Sequence, residues 1–252
     1  MISMITSTSN GRVKQIRRLQ ADRRFRARRQ AFVVEGTRWL SDLLTTGYPC
    51  LQLFYTADWL TKPEHQTLLE QIDGPKTAVS DEVMAAMSDP QTPQGVLAEL
   101  AWPQRPFPTS PSLLLILDAM TNPGNLGTVL RTAAAAGVDG VLLGPGCVDR
   151  FNPKTVRGSM GVLLRLPVRT ANWSEIAQVV GDRPVWLAAA NGERVYTAVD
   201  WIQPAALLIG SEASGAGQAA QQLATDRIAI PMHTATESLN AAMAAAVILF
   251  EA

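Results

Sequence analysis

Short apolar runs alternate with segments of helical period through the second half of this 252-residue chain. Because strands that alternate with helices pair in parallel and are covered on both faces, this alternation predicts an α/β domain with a mostly parallel sheet. The predicted strands are Leu113–Leu117, Val141–Leu143, Val185–Ala189, Leu207–Ile209 and Ile228–Ile230, and the predicted helices are Leu126–Ala136, Trp173–Val180, Ala216–Leu223 and Leu239–Phe250.

A proline-rich stretch, Trp102–Ser112, separates this pattern from an earlier one. Prolines remove backbone donors and fix φ, so neither a helix nor a sheet can run through it. We therefore expect a small α/β domain over residues 1–102, a linker over 103–112 and a second domain over 113–252. The first domain has predicted strands at Phe32–Glu35, Leu51–Thr56, Thr77–Val79 and Val96–Leu100, and helices that begin near Ser9 or Asn10, at Trp39, at Glu64 and after Ser80.

The charge of the chain is unevenly distributed. Its net charge is zero, with 22 basic and 22 acidic residues. A polyanion is one expected partner for a local excess of cations, since like charges repel one another; an ordinary solvated amphipathic helix is the alternative. The excess lies between Gly11 and Gln30, where Asp22 is the single acid among Arg12, Lys14, Arg17, Arg18, Arg23, Arg24, Arg26, Arg28 and Arg29.

Several classes of site are not indicated. Cys50 and Cys147 have no metal-ligand spacing, and His65 and His233 are isolated, so we expect neither a disulfide framework nor a protein metal site. The apolar runs are too short to cross a bilayer, and the N-terminal residues lack the apolar core of a signal peptide. We therefore expect a cytoplasmic protein that does not enter a membrane.

Three pairs of polar or glycine residues follow predicted strands: Asn125 with Arg131, Gly210 with Glu212, and Ser238 with Asn240. In parallel sheets, ligands bind beyond the carboxyl ends of the strands, so these pairs are candidates for a common site. Taken singly, each pair also fits a turn, a helix cap or a solvated surface residue. The glycines around Gly210 match neither the GxGxxG nor the P-loop pattern.

Together the three pairs resemble the signature motifs of the SpoU (TrmH) branch of the SPOUT RNA methyltransferases, and Asp149–Gly161 is similar to a further segment of that family. The resemblance implies a C-terminal trefoil knot. The first domain is similar to the RNA substrate-binding extension of rRNA-modifying members, which implies a fold like that of a ribosomal protein. Thr234 stands where the family usually has a glycine.

The resemblance also implies an activity and a set of site residues. It implies methyl transfer from S-adenosyl-L-methionine to a ribose 2′-hydroxyl, with 23S rRNA favoured over tRNA, by a homodimer that needs no metal. The implied catalytic residues are Asn125, Arg131, Glu212, Ser238 and Asn240; the cofactor-binding residues are Leu187, Ala188, Gly210, Ser211, Glu212, Ile230, Met232, Ser238 and Leu239; and the RNA-binding residues are Arg12, Lys14, Arg17, Arg18, Arg24, Arg28, Lys154 and Arg157.

Arg131 is the residue to which the resemblance assigns activation of the 2′-hydroxyl. A guanidinium stays protonated at neutral pH, so we expect Arg131 to stabilise the forming alkoxide and to orient an RNA phosphate. Two other functions stay open: a tRNA methyltransferase, and an RNA-binding protein of the same fold that has lost catalysis. A Rossmann-type dehydrogenase lacks its glycine fingerprint here.

Overall fold

A computed structural model describes residues 4–88, 93–212, 214–233 and 239–252. The chain divides into two compact units: unit 1 comprises residues 1–104 and 151–157, and unit 2 comprises residues 105–150 and 158–252. The predicted domain limits, including the linker over 103–112, stay predictions.

Unit 1 contains a four-stranded sheet in the order β1-β4-β2-β3. Strands β1 and β2 run antiparallel to β4, while β2 and β3 are parallel. Helix α1 buries Val13, Ile16 and Leu19 in the core of this unit, as the helical spacing of these residues requires. Its elements are α1 (Gly11–Ala21), α2 (Arg23–Arg29), β1 (Ala31–Glu35), α3 (Thr37–Thr46), β2 (Cys50–Tyr55), α4 (Pro63–Gln71), β3 (Lys76–Ala78), α5 (Asp81–Met87) and β4 (Val96–Ala101).

Unit 2 contains a seven-stranded sheet in the order β7-β6-β5-β10-β8-β11-β9, and every pairing is parallel. This confirms the predicted α/β class. The elements from residue 113 onward are β5 (Leu113–Leu117), α6 (Pro123–Ala135), β6 (Gly140–Leu143), α7 (Pro153–Ser159), β7 (Val168–Thr170), α8 (Trp173–Val180), β8 (Val185–Ala188), β9 (Arg194–Val195), β10 (Ala205–Ile209), α9 (Gln218–Leu223), β11 (Asp226–Ala229) and α10 (Ala241–Leu249).

The centre of the sheet is formed by β5 and β10, whose residues are all buried. A strand that is covered on both faces consists of consecutive apolar residues, and for this reason both strands could be predicted from the sequence. The edge strands β7 and β9 are exposed and contain polar residues, and no apolar run marks them. The trefoil knot stays a prediction.

In the described ranges, no helix has both the length and the apolar composition needed to span a membrane.

Candidate active site

The loops that carry the candidate residues of unit 2 begin at the carboxyl ends of neighbouring strands. Because β5, β10, β8 and β11 are adjacent and parallel, the segments that follow them emerge at one edge of the sheet. Gly210 and Glu212 follow β10, and Asn125 and Arg131 lie on the helix that follows β5. These four residues therefore follow strands, as predicted; their roles in a site stay predictions.

The segment after β10 folds back on itself. The backbone amides of Ser211 and Gly215 each donate to the carbonyl oxygen of the other, at 2.9 Å. A Cβ atom on Gly210 would stand 2.4 Å from the amide nitrogen of Ala216, so only glycine permits this approach. Gly215 itself has a φ of 66°, in the left-handed region.

This segment forms one side of a cavity of about 400 Å³. Other walls come from the end of β8 and the segment after it, from Gln221 on α9, from β11 and the residues after it, and from α10. Eight of the nine predicted cofactor-binding residues line it: Leu187, Ala188, Gly210, Ser211, Glu212, Ile230, Met232 and Leu239.

The ninth residue, Ser238, lies outside the described residues, as does Thr234.

Asn125 and Glu212 come together although 87 positions separate them. The Asn125 side-chain amide donates a hydrogen bond to Oε1 of Glu212. Asn122, not Asn125, caps α6, since its Oδ1 accepts from the backbone amides of Gly124 at 2.9 Å and Asn125 at 3.3 Å. The side chain of Asn125 is therefore left to orient the Glu212 carboxylate at the cavity.

Arg131 lies on α6, and Asn240 directly precedes α10, a helix that packs against α6. Both residues are exposed, and neither is among those that line the cavity. Oδ1 of Asn240 accepts from the backbone amide of Ala242 at 2.9 Å and caps α10. The helix therefore begins two residues later than the predicted start at Leu239.

Three polar residues of the cavity were not predicted from the sequence. Asn191, Gln221 and Arg227 line it. Nη2 of Arg227 donates to Oε1 of Gln221 at 3.1 Å, and Nε2 of Gln221 donates to the carbonyl oxygen of Ala216 at 2.7 Å. No motif marks these residues, because their position follows from the place of β8 between β10 and β11.

Neither cysteine is suited to act as a nucleophile. Burial raises the pKa of the Cys147 thiol to about 11, and the thiol donates to the carbonyl oxygen of Leu117 at 3.2 Å. Burial likewise raises the pKa of Cys50 to about 11. Both thiols are therefore protonated at neutral pH.

Burial also lowers the pKa of Arg150, whose side chain donates to the carbonyl oxygen of Val168 at 2.5 Å.

Among the parts of the chain that the structure describes, no three histidine, cysteine or acidic side chains are grouped so as to hold a metal ion.

The basic segment of unit 1 forms two helices, because Asp22 caps α2 by accepting from the backbone amide of Phe25 at 3.1 Å. Two of its arginines stabilise the fold. Arg26 is 3% exposed and donates to the carbonyl oxygens of Leu19 and Gln20, at the end of α1. Arg29 pairs with the buried Glu99 at 3.3 Å.

The predicted RNA-binding residues of the basic segment are all exposed. Arg12 has a partner within unit 1, since Nη1 donates to Oγ1 of Thr77 at 3.2 Å. Arg18 lies over the Phe25 ring at 4.5 Å and 3.6 Å from the Asp22 carboxylate. Lys154 and Arg157, on α7, are exposed as well.

Two family models match this chain over separate ranges. Residues 112–250 match the SpoU rRNA Methylase family, and residues 10–98 match the MRM3-like substrate binding domain. An uncharacterised tRNA/rRNA methyltransferase of Synechocystis sp. is 35% identical, over 100% of this chain and 93% of that protein. The 23S rRNA (guanosine(2553)-2′-O)-methyltransferase RlmP of Bacillus subtilis is 29% identical, over 99% of this chain and 98% of that protein.

Solved structures agree with these sequence relatives. The SpoU methyltransferase AviRb of Streptomyces viridochromogenes, in complex with AdoMet, superposes with a TM-score of 0.87 at 29% identity, over 96% of both chains. An AdoMet-bound rRNA methyltransferase of Sinorhizobium meliloti gives 0.88 at 28% identity, over 99% of this chain and 96% of that chain. The chain therefore belongs to the SpoU rRNA methylase family.

Proposed function

We propose that this chain transfers a methyl group from S-adenosylmethionine to a ribose 2′-hydroxyl of ribosomal RNA. The observation that carries the proposal is the cavity at the strand ends of unit 2, with Glu212 in its wall and Asn125 bonded to Glu212. Relatives that are named 23S rRNA 2′-O-methyltransferases support the choice of RNA, and AdoMet-bound structural neighbours support the cofactor.

The residues of the cavity fit S-adenosylmethionine. Its volume lies within the range usual for small-molecule sites. The apolar side chains of Leu187, Ile228 and Ile248 form walls suited to an adenine ring. The polar side chains of Glu212, Gln221 and Arg227 can form hydrogen bonds with the ribose or with the amino-acid part of the cofactor. When bound, S-adenosylmethionine supplies an electrophilic methyl group on a sulfonium sulfur.

The protein's own task is to align the ribose oxygen and to help remove its proton. We assign stabilisation of the forming alkoxide to Arg131, whose charged side chain is exposed on α6. Asn125 orients Glu212, and both serve to position the reacting groups. Ser238 and Asn240 complete the proposed catalytic set.

We assign binding of the RNA backbone to the exposed cations of α1 and α2, together with Lys154 and Arg157. Cations that meet phosphates release condensed counterions, which is a source of affinity independent of sequence. The match of residues 10–98 to a substrate-binding domain supports this role. We also propose that the protein acts in the cytoplasm.

We further propose a homodimer formed through α10. Three large apolar side chains on this helix or directly after it are exposed: Met243 by 53%, Val247 by 39% and Phe250 by 68%. Their spacing of four and three residues places them on one face of the helix, while Ala241, Ala245 and Ile248 are buried. A second copy of the chain would cover this face.

Calorimetric titration with S-adenosylmethionine tests the proposed function. We expect the wild-type protein to bind the cofactor, whereas a protein that bound only RNA would give no heat of cofactor binding. Ala244, in the cavity wall, is compared with Ala177, an exposed residue of α8 that is not among those that line the cavity. We expect A244L to overfill the cavity and lower affinity by about tenfold or more, and A177L to bind normally.

A further inference from the structure

Asp118 stands at the carboxyl end of β5, directly after Leu117, and is 5% exposed. It forms two hydrogen bonds to the chain on either side of the segment that folds back after β10. Its backbone amide donates to the carbonyl oxygen of Ile209 at 2.9 Å. Its carboxylate Oδ2 accepts from the backbone amide of Gly217 at 2.7 Å.

These two bonds hold both ends of the segment, Gly210–Glu212 at one end and Ser214–Ala216 at the other, to Asp118, the residue that follows β5. The near end is fixed by the backbone amide of Asp118, which any residue except proline could supply. The far end is fixed by the carboxylate, which few residues could replace. Because the segment supplies Gly210, Ser211, Glu212, Ser214, Gly215 and Ala216 to the cavity wall, its placement shapes the cavity.

We propose that Asp118 is a positioning residue for S-adenosylmethionine binding, whose carboxylate holds the far end of the segment, Ser214–Ala216, at the end of β5. The inference rests on the proposed function. A carboxylate that accepts from a backbone amide forms a short and strong bond. Removing it leaves the amide of Gly217 without this acceptor and frees the far end of the segment.

The opposite end of β5 offers a matched control. Oδ2 of Asp139 accepts from the backbone amides of Ser112 at 2.7 Å and Leu113 at 3.0 Å. This is the same type of bond, made at the same strand, but the residues that Asp139 holds, Ser112 and Leu113, do not line the cavity, whereas the segment that Asp118 holds does. A purely structural effect on β5 should appear in both variants, whereas an effect on the cavity should appear only at Asp118.

The test compares D118A, D118N and D139A by calorimetric titration with S-adenosylmethionine. We expect D118A to weaken cofactor affinity by about tenfold or more. D118N, whose amide oxygen still accepts from Gly217, should lose about threefold, because a neutral acceptor forms a weaker bond. D139A should bind like the wild type. At saturating cofactor, turnover by D118A should return to near the wild-type rate.

Hydrogen exchange in the cofactor-free protein gives a second readout. We expect the Gly217 amide to exchange faster in D118A and D118N than in the wild type, and to be unchanged in D139A. If D118A does not fold, the inference is tested by D118N, through its Gly217 amide exchange and its affinity for S-adenosylmethionine together.

Wild-type affinity and exchange in the Asp118 variants, or an equal loss of affinity in D139A, would overturn the inference. Absence of cofactor binding by the wild type would instead overturn the proposed function, and the inference with it.

Discussion

Arg131 is the residue that we propose stabilises the forming alkoxide, although it does not line the cavity. Its side chain is exposed on α6, six residues after Asn125, and so remains accessible to an RNA backbone. A guanidinium can pair with a phosphate in a bidentate manner and stabilise a developing negative charge. Its effect should therefore fall on turnover and leave cofactor affinity unchanged.

Replacing Arg131 with alanine should lower the rate of methyl transfer by roughly 10²- to 10³-fold, because a preorganised donor to the developing oxyanion is lost. Single-turnover kinetics measure this rate, and calorimetry should give a cofactor affinity close to that of the wild type. R131K, which keeps the charge but not the planar fork, should be intermediate. Parallel losses of rate and cofactor affinity would contradict the role.

The candidate site residues that could be predicted from the sequence are those that follow a strand and belong to a recognisable motif. Glu212 and Asn125 were predicted in this way, and they are bonded to each other. Gln221 and Arg227 could not be predicted, because no local pattern distinguishes a cavity residue from a solvated one. Asp118 was also missed, since its partner Gly217 lies 99 positions away.

Among the secondary-structure elements, the buried strands were predicted and the exposed ones were not. β5 is entirely apolar because both its faces are covered, whereas β9 consists of two exposed residues, Arg194 and Val195. The basic segment was predicted as a single helix. It divides into two helices at Asp22, because the Asp22 carboxylate accepts a hydrogen bond from a free backbone amide at the start of α2.

The two basic helices lead to a prediction about salt dependence. Replacing Arg17, Arg24 and Arg28 together with alanine should weaken rRNA binding and reduce the slope of log affinity against log salt by about 2, because phosphate contacts are lost. Filter binding at several salt concentrations measures the slope. Cofactor affinity should be unchanged.

R38A combined with K62A provides the control for this triple variant. Both residues are exposed cations of unit 1 outside α1 and α2. An equal loss of slope in this control would mean that the general charge of the surface, and not the two helices, binds the RNA.

For the whole molecule, alternation of strands and helices predicted the parallel sheet but not its order. The strand β10 inserts between β5 and β8, although it follows both in the chain. This order brings the segment after β8 beside the segment after β10 and so creates the cavity. Apolar periodicity contains no information about which strands pair, because every buried strand presents the same kind of surface.

The assembly of the molecule can be tested at α10. Replacing Met243 with glutamate should convert the proposed dimer into a monomer of 27.1 kDa, because it puts a charge into the apolar interface. Light scattering coupled to size exclusion measures the mass. I202E is the matched control, since Ile202 is 92% exposed and lies outside α10.

A wild-type protein that is already monomeric, or dissociation by I202E alone, would contradict an interface at α10.

The methyl group should reach a sugar oxygen of RNA. The most direct measurement is to incubate the wild-type protein with isotopically labelled S-adenosylmethionine and unmodified 23S rRNA, digest the RNA to nucleosides and identify the labelled product by mass spectrometry. We expect label in a 2′-O-methylated nucleoside, formed more slowly by R131A to the extent given above. Label in a base-methylated nucleoside, or no label in RNA from a protein that binds the cofactor, would contradict this expectation.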